Sequence, residues 1–180
     1  PSKDVEGMHP ESMGRLVYGT STLAPCTASA AVELARSVRP SFARLDVTIV
    51  GHSETVGKAI ALLLLQSPFE SATPTVCHVA TRDLATHTRG ADVLFVAVGK
   101  AGLVRGDMIK PGATVIDIGI NHLDVLDGKG MPVMQDGKPL RRIVGDVLFE
   151  EAVEVCAHIT PVPGGVGPLT VVMLIRNTIE

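Results

Sequence analysis

Three short aliphatic runs, each cut off by a glycine, constrain this chain most: 46–50 before Gly51, 92–98 before Gly99, and 114–118 before Gly119. None alternates apolar with polar residues. Each is therefore expected to be a strand buried on both faces, the habit of a parallel sheet rather than a half-solvated antiparallel one. Helical segments lie between them: 54–66, whose Ala-Ile-Ala-Leu-Leu-Leu-Leu stretch is apolar nearly all round, and a shorter one around 82–88. Strand and helix alternating every roughly 20 to 25 residues imply an α/β fold, a doubly wound, mostly parallel sheet with helices on both faces. Further strands are expected at 75–78 and 159–160, and further helices at 27–38, capped by Thr27, at 149–157, and from Pro168 to Ile179.

The remaining segments read differently. The first 24 residues are polar and broken by Gly7, Pro10, Gly14 and Gly19, which reads as irregular connecting chain. Residues 122–142 carry Asp127-Gly128 and Asp136-Gly137 turn signals and read as a surface hairpin. The last helix holds five consecutive apolar residues, 171–175, so more than one of its faces wants cover. Because the chain opens on Pro1 and not Met, it is expected to begin inside a longer protein.

Composition narrows the function. With 180 residues, 46% hydrophobic and 19% charged, the chain can core one domain and is not disordered. Aromatics are only 3%, so stacking of bases on exposed rings is not expected, and a net charge of -3 argues against a nucleic-acid partner. The longest strictly apolar run, 59–65, is far short of the roughly 20 residues of a membrane helix. Cys26, Cys77 and Cys156 stand far apart with no CxxC, as reduced thiols of a cytosol-like compartment do. The six histidines offer neither an i,i+4 pair nor HExxH, so no metal site is expected.

The turn after the first run reads Gly51-His-Ser-Glu-Thr-Val-Gly57. A glycine closing a strand, followed by a helix N-terminus, suits a dinucleotide pyrophosphate. The two glycines are nevertheless six apart, where the usual GxGxxG spans five, and a purely structural turn reads as well. Gly99 and Gly119 stand at the same carboxyl edge, either as ligand contacts or as ordinary strand ends. Residues 161–168, Pro-Val-Pro-Gly-Gly-Val-Gly-Pro, are more pointed. Pro161 and Pro163 stiffen the backbone and three glycines leave N–H groups unobstructed, a composition suited to a flat or anionic ligand.

Taken together, Lys3-Asp-Val-Glu-Gly7, Pro25-Cys-Thr27, Val50-Gly-His-Ser53, Val56-Gly57, Cys77-His78, Asp117-Ile-Gly-Ile-Asn121, Gly145-Asp-Val147 and residues 160–170 resemble, in order, one family. It is the bifunctional 5,10-methylenetetrahydrofolate dehydrogenase/methenyltetrahydrofolate cyclohydrolase family, and the resemblance covers essentially the whole chain. It implies that 25–180 is the Rossmann-like NAD(P)-binding domain and that 1–24 is an interdomain strip contributing to the folate cleft. The family's catalytic lysine lies in a Tyr-x-x-x-Lys motif of a first domain. No such motif occurs here, so no catalytic residue is expected in this chain, and alone it is expected to be inactive.

By resemblance, the reaction is hydride transfer from 5,10-methylenetetrahydrofolate to NAD(P)+, then hydrolysis of the methenyl product to 10-formyltetrahydrofolate. The implied cofactor contacts are Gly51, His52 and Ser53 at the phosphates, Val56, Val79 and Gly99 beside them, Ile120 at the cofactor edge, and Thr27 and Thr170 at the nicotinamide end. Pro163, Gly164, Gly165 and Val166 would border the folate, and Glu6 would stand where the family's aspartate meets the pterin. A homodimer through this domain and a cytoplasmic location, or an organellar one, are also implied.

Two departures touch the coenzyme. The family has arginine at the position of His52 and often serine or arginine at that of Val79, groups that hold the 2′-phosphate of NADP. Losing a charge-assisted hydrogen bond costs roughly 1.5–3 kcal/mol, so the preference for NADP over NAD is expected to weaken, with Arg82 placed to compensate and Glu54 to oppose. Either NADP or NAD remains open. Two other classes also stay open: a non-catalytic nucleotide-binding or regulatory module descended from the enzyme, and an unrelated NAD-dependent dehydrogenase.

Overall fold

The computed structural model describes residues 3–20, 23–67 and 71–179. Its elements run α1 (Pro10–Val17), α2 (Cys26–Val38), β1 (Asp46–Val50), α3 (Gly57–Leu64), β2 (Thr73–Cys77), α4 (Leu84–Arg89) and β3 (Val93–Val96). A 3-10 turn (Gly106–Met108) leads to β4 (Thr114–Asp117), β5 (Asn121–Asp124), β6 (Met134–Gln135), β7 (Lys138–Pro139), β8 (Arg141–Val144), α5 (Phe149–Ala152), β9 (His158–Ile159) and α6 (Val166–Ile179).

The apolar runs form the middle of a five-stranded parallel sheet of order β2-β1-β3-β4-β9. Their side chains alternate between two cores. Val47, Ile49, Val93, Phe95 and Ile116 meet α2, α3 and α6 on one face. Val50, Leu94, Val96 and Val115 meet Ala91, Val104, Ile109, Val147 and Ala152 on the other. Burying both faces explains why no polar alternation was visible in the sequence. The chain steps from β1 outward to β2, then returns past β1 to β3. The order therefore reverses between β1 and β3, and a crevice opens beyond their carboxyl ends.

Several expectations need correction. Residues 1–24 are not irregular throughout, since α1 occupies Pro10–Val17. His9 accepts the Glu11 N–H through its side chain, Pro10 takes the first turn, and Leu16 is buried, so capping and one apolar anchor outweigh the glycine at 14. Thr27 does not cap α2. The cap position is Pro25, which has no side-chain acceptor, and Thr27 lies inside the first turn. Helix α3 starts at Gly57 because 54–56 form a turn. The strand expected at 75–78 runs instead over Thr73–Cys77 and is an edge strand, with Thr73, Thr75 and Val76 exposed. The expected hairpin is two nested ladders, β5–β8 and β6–β7, with Asp136-Gly137 at the inner turn. Helix α6 begins at Val166, so Val166, Gly167 and Pro168 are helical and not ribbon.

The strip before α2 packs onto the domain. Asn177 of α6 donates to the Val5 and Ala24 carbonyls at 3.1 and 3.4 Å, and Gln66 donates to the Leu16 carbonyl at 3.0 Å. Val171, Val172, Ile175 and Ile179 of α6 stay exposed, in keeping with a helix apolar on more than one face.

Candidate functional site

The carboxyl edge of the sheet carries two groups of residues. The first is the β1–α3 turn. Gly51 has φ +125, and a Cβ there would collide with the Ala97 carbonyl at the end of β3; one at Gly57 would collide with the Gly51 carbonyl. Only glycine at both positions lets the turn fold this tightly against the neighbouring strand. His52 and Ser53 project exposed from it, and Val56 packs half-buried on the core. Across the crevice stands Gly99, and at the end of β2 the exposed Val79 follows His78, whose ring meets that of His52 edge-on with centroids 5.0 Å apart.

The second group lines a cleft of about 410 Å³. Thr27, Ile120, Pro163, Gly164, Gly165, Val166 and Thr170 border it, together with Asp117, Ile118, Gly119 and Ile143. A mostly apolar slot with a few polar groups suits a flat heterocycle. The ribbon is held over the sheet by Thr160. Its hydroxyl accepts the Asp117 N–H at 2.8 Å and lies 3.2 Å from the Asp117 carbonyl. The Thr170 hydroxyl donates to its own helix, at the Val166 carbonyl. Glu6 is exposed and does not line the cleft, though its carbonyl is 4.0 Å from Cys26 Sγ, one residue from Thr27.

Two buried carboxylates join these groups, and neither was singled out from the sequence. Asp146 accepts N–H bonds from Val98 at 2.6 Å and Gly99 at 2.9 Å through Oδ2, and the Asn121 amide at 2.8 Å through Oδ1. Asp117 accepts the Gly119 and Asp146 N–H groups, each at 3.0 Å, and that of Val147 at 2.9 Å. Burial pushes the Asp117 carboxyl up to about 6, the neighbouring Asp146 adding to this, while the three N–H bonds oppose it. A Cβ at Gly119 would strike Asp146, and one at Gly145 would strike Asp117. The sequence signal was available: a carboxylate closing a short, mostly apolar strand with glycine two residues on is costly unless the backbone serves it.

A second cleft, of about 370 Å³, lies beyond Ile143 and Val162 against β8 and α5, with Arg142 and Glu150 at its walls. Among the described residues no three His, Cys, Asp or Glu gather as a metal centre, and no helix is long and apolar enough to cross a membrane.

Residues 25–180 match the family model described as tetrahydrofolate dehydrogenase/cyclohydrolase, NAD(P)-binding domain. The bifunctional protein FolD 2 of Mesorhizobium japonicum is 54% identical over 178 residues, which cover 99% of this chain and 54% of that protein. The FolD protein of Syntrophobacter fumaroxidans is 50% identical, covering 100% of this chain and 58% of that one. Among solved structures, the Trypanosoma brucei N5,N10-methylenetetrahydrofolate dehydrogenase-cyclohydrolase complexed with NADP cofactor and inhibitor aligns with a TM-score of 0.85 at 42% identity. That alignment covers 99% of this chain and 58% of the other. The Campylobacter jejuni bifunctional enzyme aligns at 0.84 and 41%, covering 99% and 57%. The chain thus spans a little over half the length of the relatives it matches.

Proposed function

The chain belongs to the tetrahydrofolate dehydrogenase/cyclohydrolase family, as its NAD(P)-binding domain, and from that premise we propose that its crevice holds NADP or NAD against a reduced folate. In this reading the pyrophosphate sits on the Gly51–His52–Ser53 turn, at the N-terminus of α3, whose cap residue Val56 makes no side-chain hydrogen bond. Val56, Val79 and Gly99 flank it. The nicotinamide enters the 410 Å³ cleft between Thr27, Thr170 and Ile120.

Held there by Thr27, Thr170 and Ile120, a nicotinamide would supply a hydride acceptor for oxidation of 5,10-methylenetetrahydrofolate, whose methenyl product would be hydrolysed by water to 10-formyltetrahydrofolate. The domain's work is positioning. Asp146 and Thr160 hold the two walls, the ribbon of Pro163, Gly164 and Gly165 with Val166 borders the folate, and apolar side chains keep water from the hydride path. Glu6, on the strip 1–24, is assigned to the pterin edge, whose paired donors a carboxylate can accept. Proton transfer is assigned to a part of the protein outside this chain. The same reading carries a homodimer through this domain and a cytoplasmic, or organellar, location.

One observation carries the proposal: turn and cleft open along one sheet edge, joined through Asp146. Calorimetric titration of the chain with NADP and NAD tests it, alongside an assay for reduced nicotinamide with methylenetetrahydrofolate. Binding without turnover is the expected result. No binding of either dinucleotide at millimolar concentration would overturn the reading. Full turnover by the chain alone would overturn the assignment of proton transfer elsewhere. A full-length protein that binds dinucleotide yet lacks an upstream Tyr-x-x-x-Lys would instead be the regulatory module.

A further inference from the structure

A charge shut away from water acts over a longer range than one in solvent, because the medium around it screens less. Asp117 carries such a charge. It closes β4 at 3% exposure, and the other residues of that strand, Thr114, Val115 and Ile116, carry none. Three backbone donors fix its carboxyl: the Gly119 and Asp146 N–H groups on Oδ1 and that of Val147 on Oδ2.

Asp117 also borders the 410 Å³ cleft. No other described residue bordering that cleft ionises; the rest are glycine, proline, threonine, valine and isoleucine. A second carboxylate stands beside it. Asp146 is fully buried, donates its N–H to Asp117, and turns its own oxygens to Val98, Gly99 and Asn121. Arg142 borders the second cleft and not this one. The N-terminus of α6 at Val166 opposes the two carboxylates, but with a partial charge of about half a unit that fades within the first turn.

We propose that Asp117, backed by Asp146, shifts the affinity of the cleft toward the oxidised ring of a nicotinamide and away from the reduced one. This rests on the reading of the cleft as the nicotinamide site. The oxidised ring bears a positive charge and the reduced ring none, so the two differ far more in charge than in shape. An apolar slot alone would favour the neutral ring, since a buried cation without a partner is costly. A fixed carboxylate in the wall works the other way, because an opposite charge nearby favours the charged form. The Thr170 hydroxyl is engaged by the Val166 carbonyl, which leaves Asp117 to meet the charge of the ring. The domain thereby holds more tightly the cofactor form able to accept a hydride, and lets go more readily of the form that has accepted one.

The test is calorimetric titration of the 180-residue chain at about pH 8, where Asp117 has released its proton. The ligands are the oxidised and reduced forms of NADP and of NAD, with ADP-ribose as the molecule that lacks the ring. In Asp117→Asn the ratio of oxidised to reduced affinity should fall about tenfold relative to the wild type. Altered packing would weaken both redox forms alike and leave that ratio unchanged, so an unchanged ratio overturns the inference. ADP-ribose should bind the variant as it binds the wild type. A loss there as large as that for oxidised NAD would move the effect to the adenosine half and overturn the inference too. Asp146→Asn keeps an acceptor for Val98 and Gly99 and should lower the ratio in the same direction, about threefold, which preserves the test if Asp117→Asn does not fold. Circular dichroism establishes which variants are folded. If the wild type binds dinucleotides and no folded variant changes the ratio, the inference falls and the crevice reading stands. If the wild type binds neither dinucleotide in either form, both fall together.

Discussion

Asp146 is the residue on which the geometry of the crevice depends most directly, and replacing it gives a graded test. Asp146→Ala strips the acceptor from the Val98 and Gly99 N–H groups and from the Asn121 amide. Gly99 is exposed, so water can replace that bond, whereas Val98 and Asn121 are half-buried. A buried donor left without an acceptor costs about 1–3 kcal/mol. Two such losses, less the relief of removing a fully buried charge from beside Asp117, leave a destabilisation of about 3 kcal/mol. Asp146→Asn keeps an oxygen for Val98 and Gly99 and turns its amide toward Asn121, which can reverse its own. Only the charge assistance is lost, about 1 kcal/mol. Urea unfolding followed by circular dichroism at neutral pH measures both variants. The reasoning is refuted if the alanine variant lies within about 1 kcal/mol of the wild type, the net contribution of an ordinary hydrogen bond, or if asparagine costs as much as alanine.

Gly51→Ala forces a Cβ against the Ala97 carbonyl at a φ of +125, and should cost about 3 kcal/mol or more and abolish dinucleotide binding, read by unfolding and calorimetry. Asp117 is protonated in the fold up to about 6, while the unfolded carboxyl releases its proton near 3.8. The folded state thus binds the extra proton between those values, and stability contributed by this group is present below 3.8 and lost as pH rises through 6, by about 3 kcal/mol. The advantage of the wild type over Asp117→Asn in urea unfolding should shrink by about 2.4 kcal/mol between pH 4 and 7, part of the full amount being already lost at pH 4, and a constant difference would refute the linkage. Replacing the exposed Val172 and Ile175 of α6 by threonine should change stability by no more than about 0.5 kcal/mol yet lower dye binding to the apolar stripe about twofold.

Much of the sheet was legible because its strands carry their own evidence. A run such as Val-Leu-Phe-Val with glycine close behind can satisfy its side chains only between two covered faces, and β1, β3 and β4 lie where those runs stand. The glycines of the first turn and the proline–glycine ribbon were visible for the same local reason, since backbone freedom and rigidity are properties of residue type. What local pattern could not supply were relations between distant segments. α1 looked like loop because its one buried apolar side chain, Leu16, has meaning only once Gln66 and α3 are beside it. That β2 lies at the edge was not readable from its own residues, because a strand's place in a sheet is set by its neighbours. Asp117 and Asp146 stand 29 residues apart, and each binds backbone that only folding brings near. The sequence by itself determined the sheet and the chemistry available at its rim. The tertiary structure alone decided which of those groups meet, because a hydrogen bond across the fold depends on position in space and leaves no periodicity along the chain.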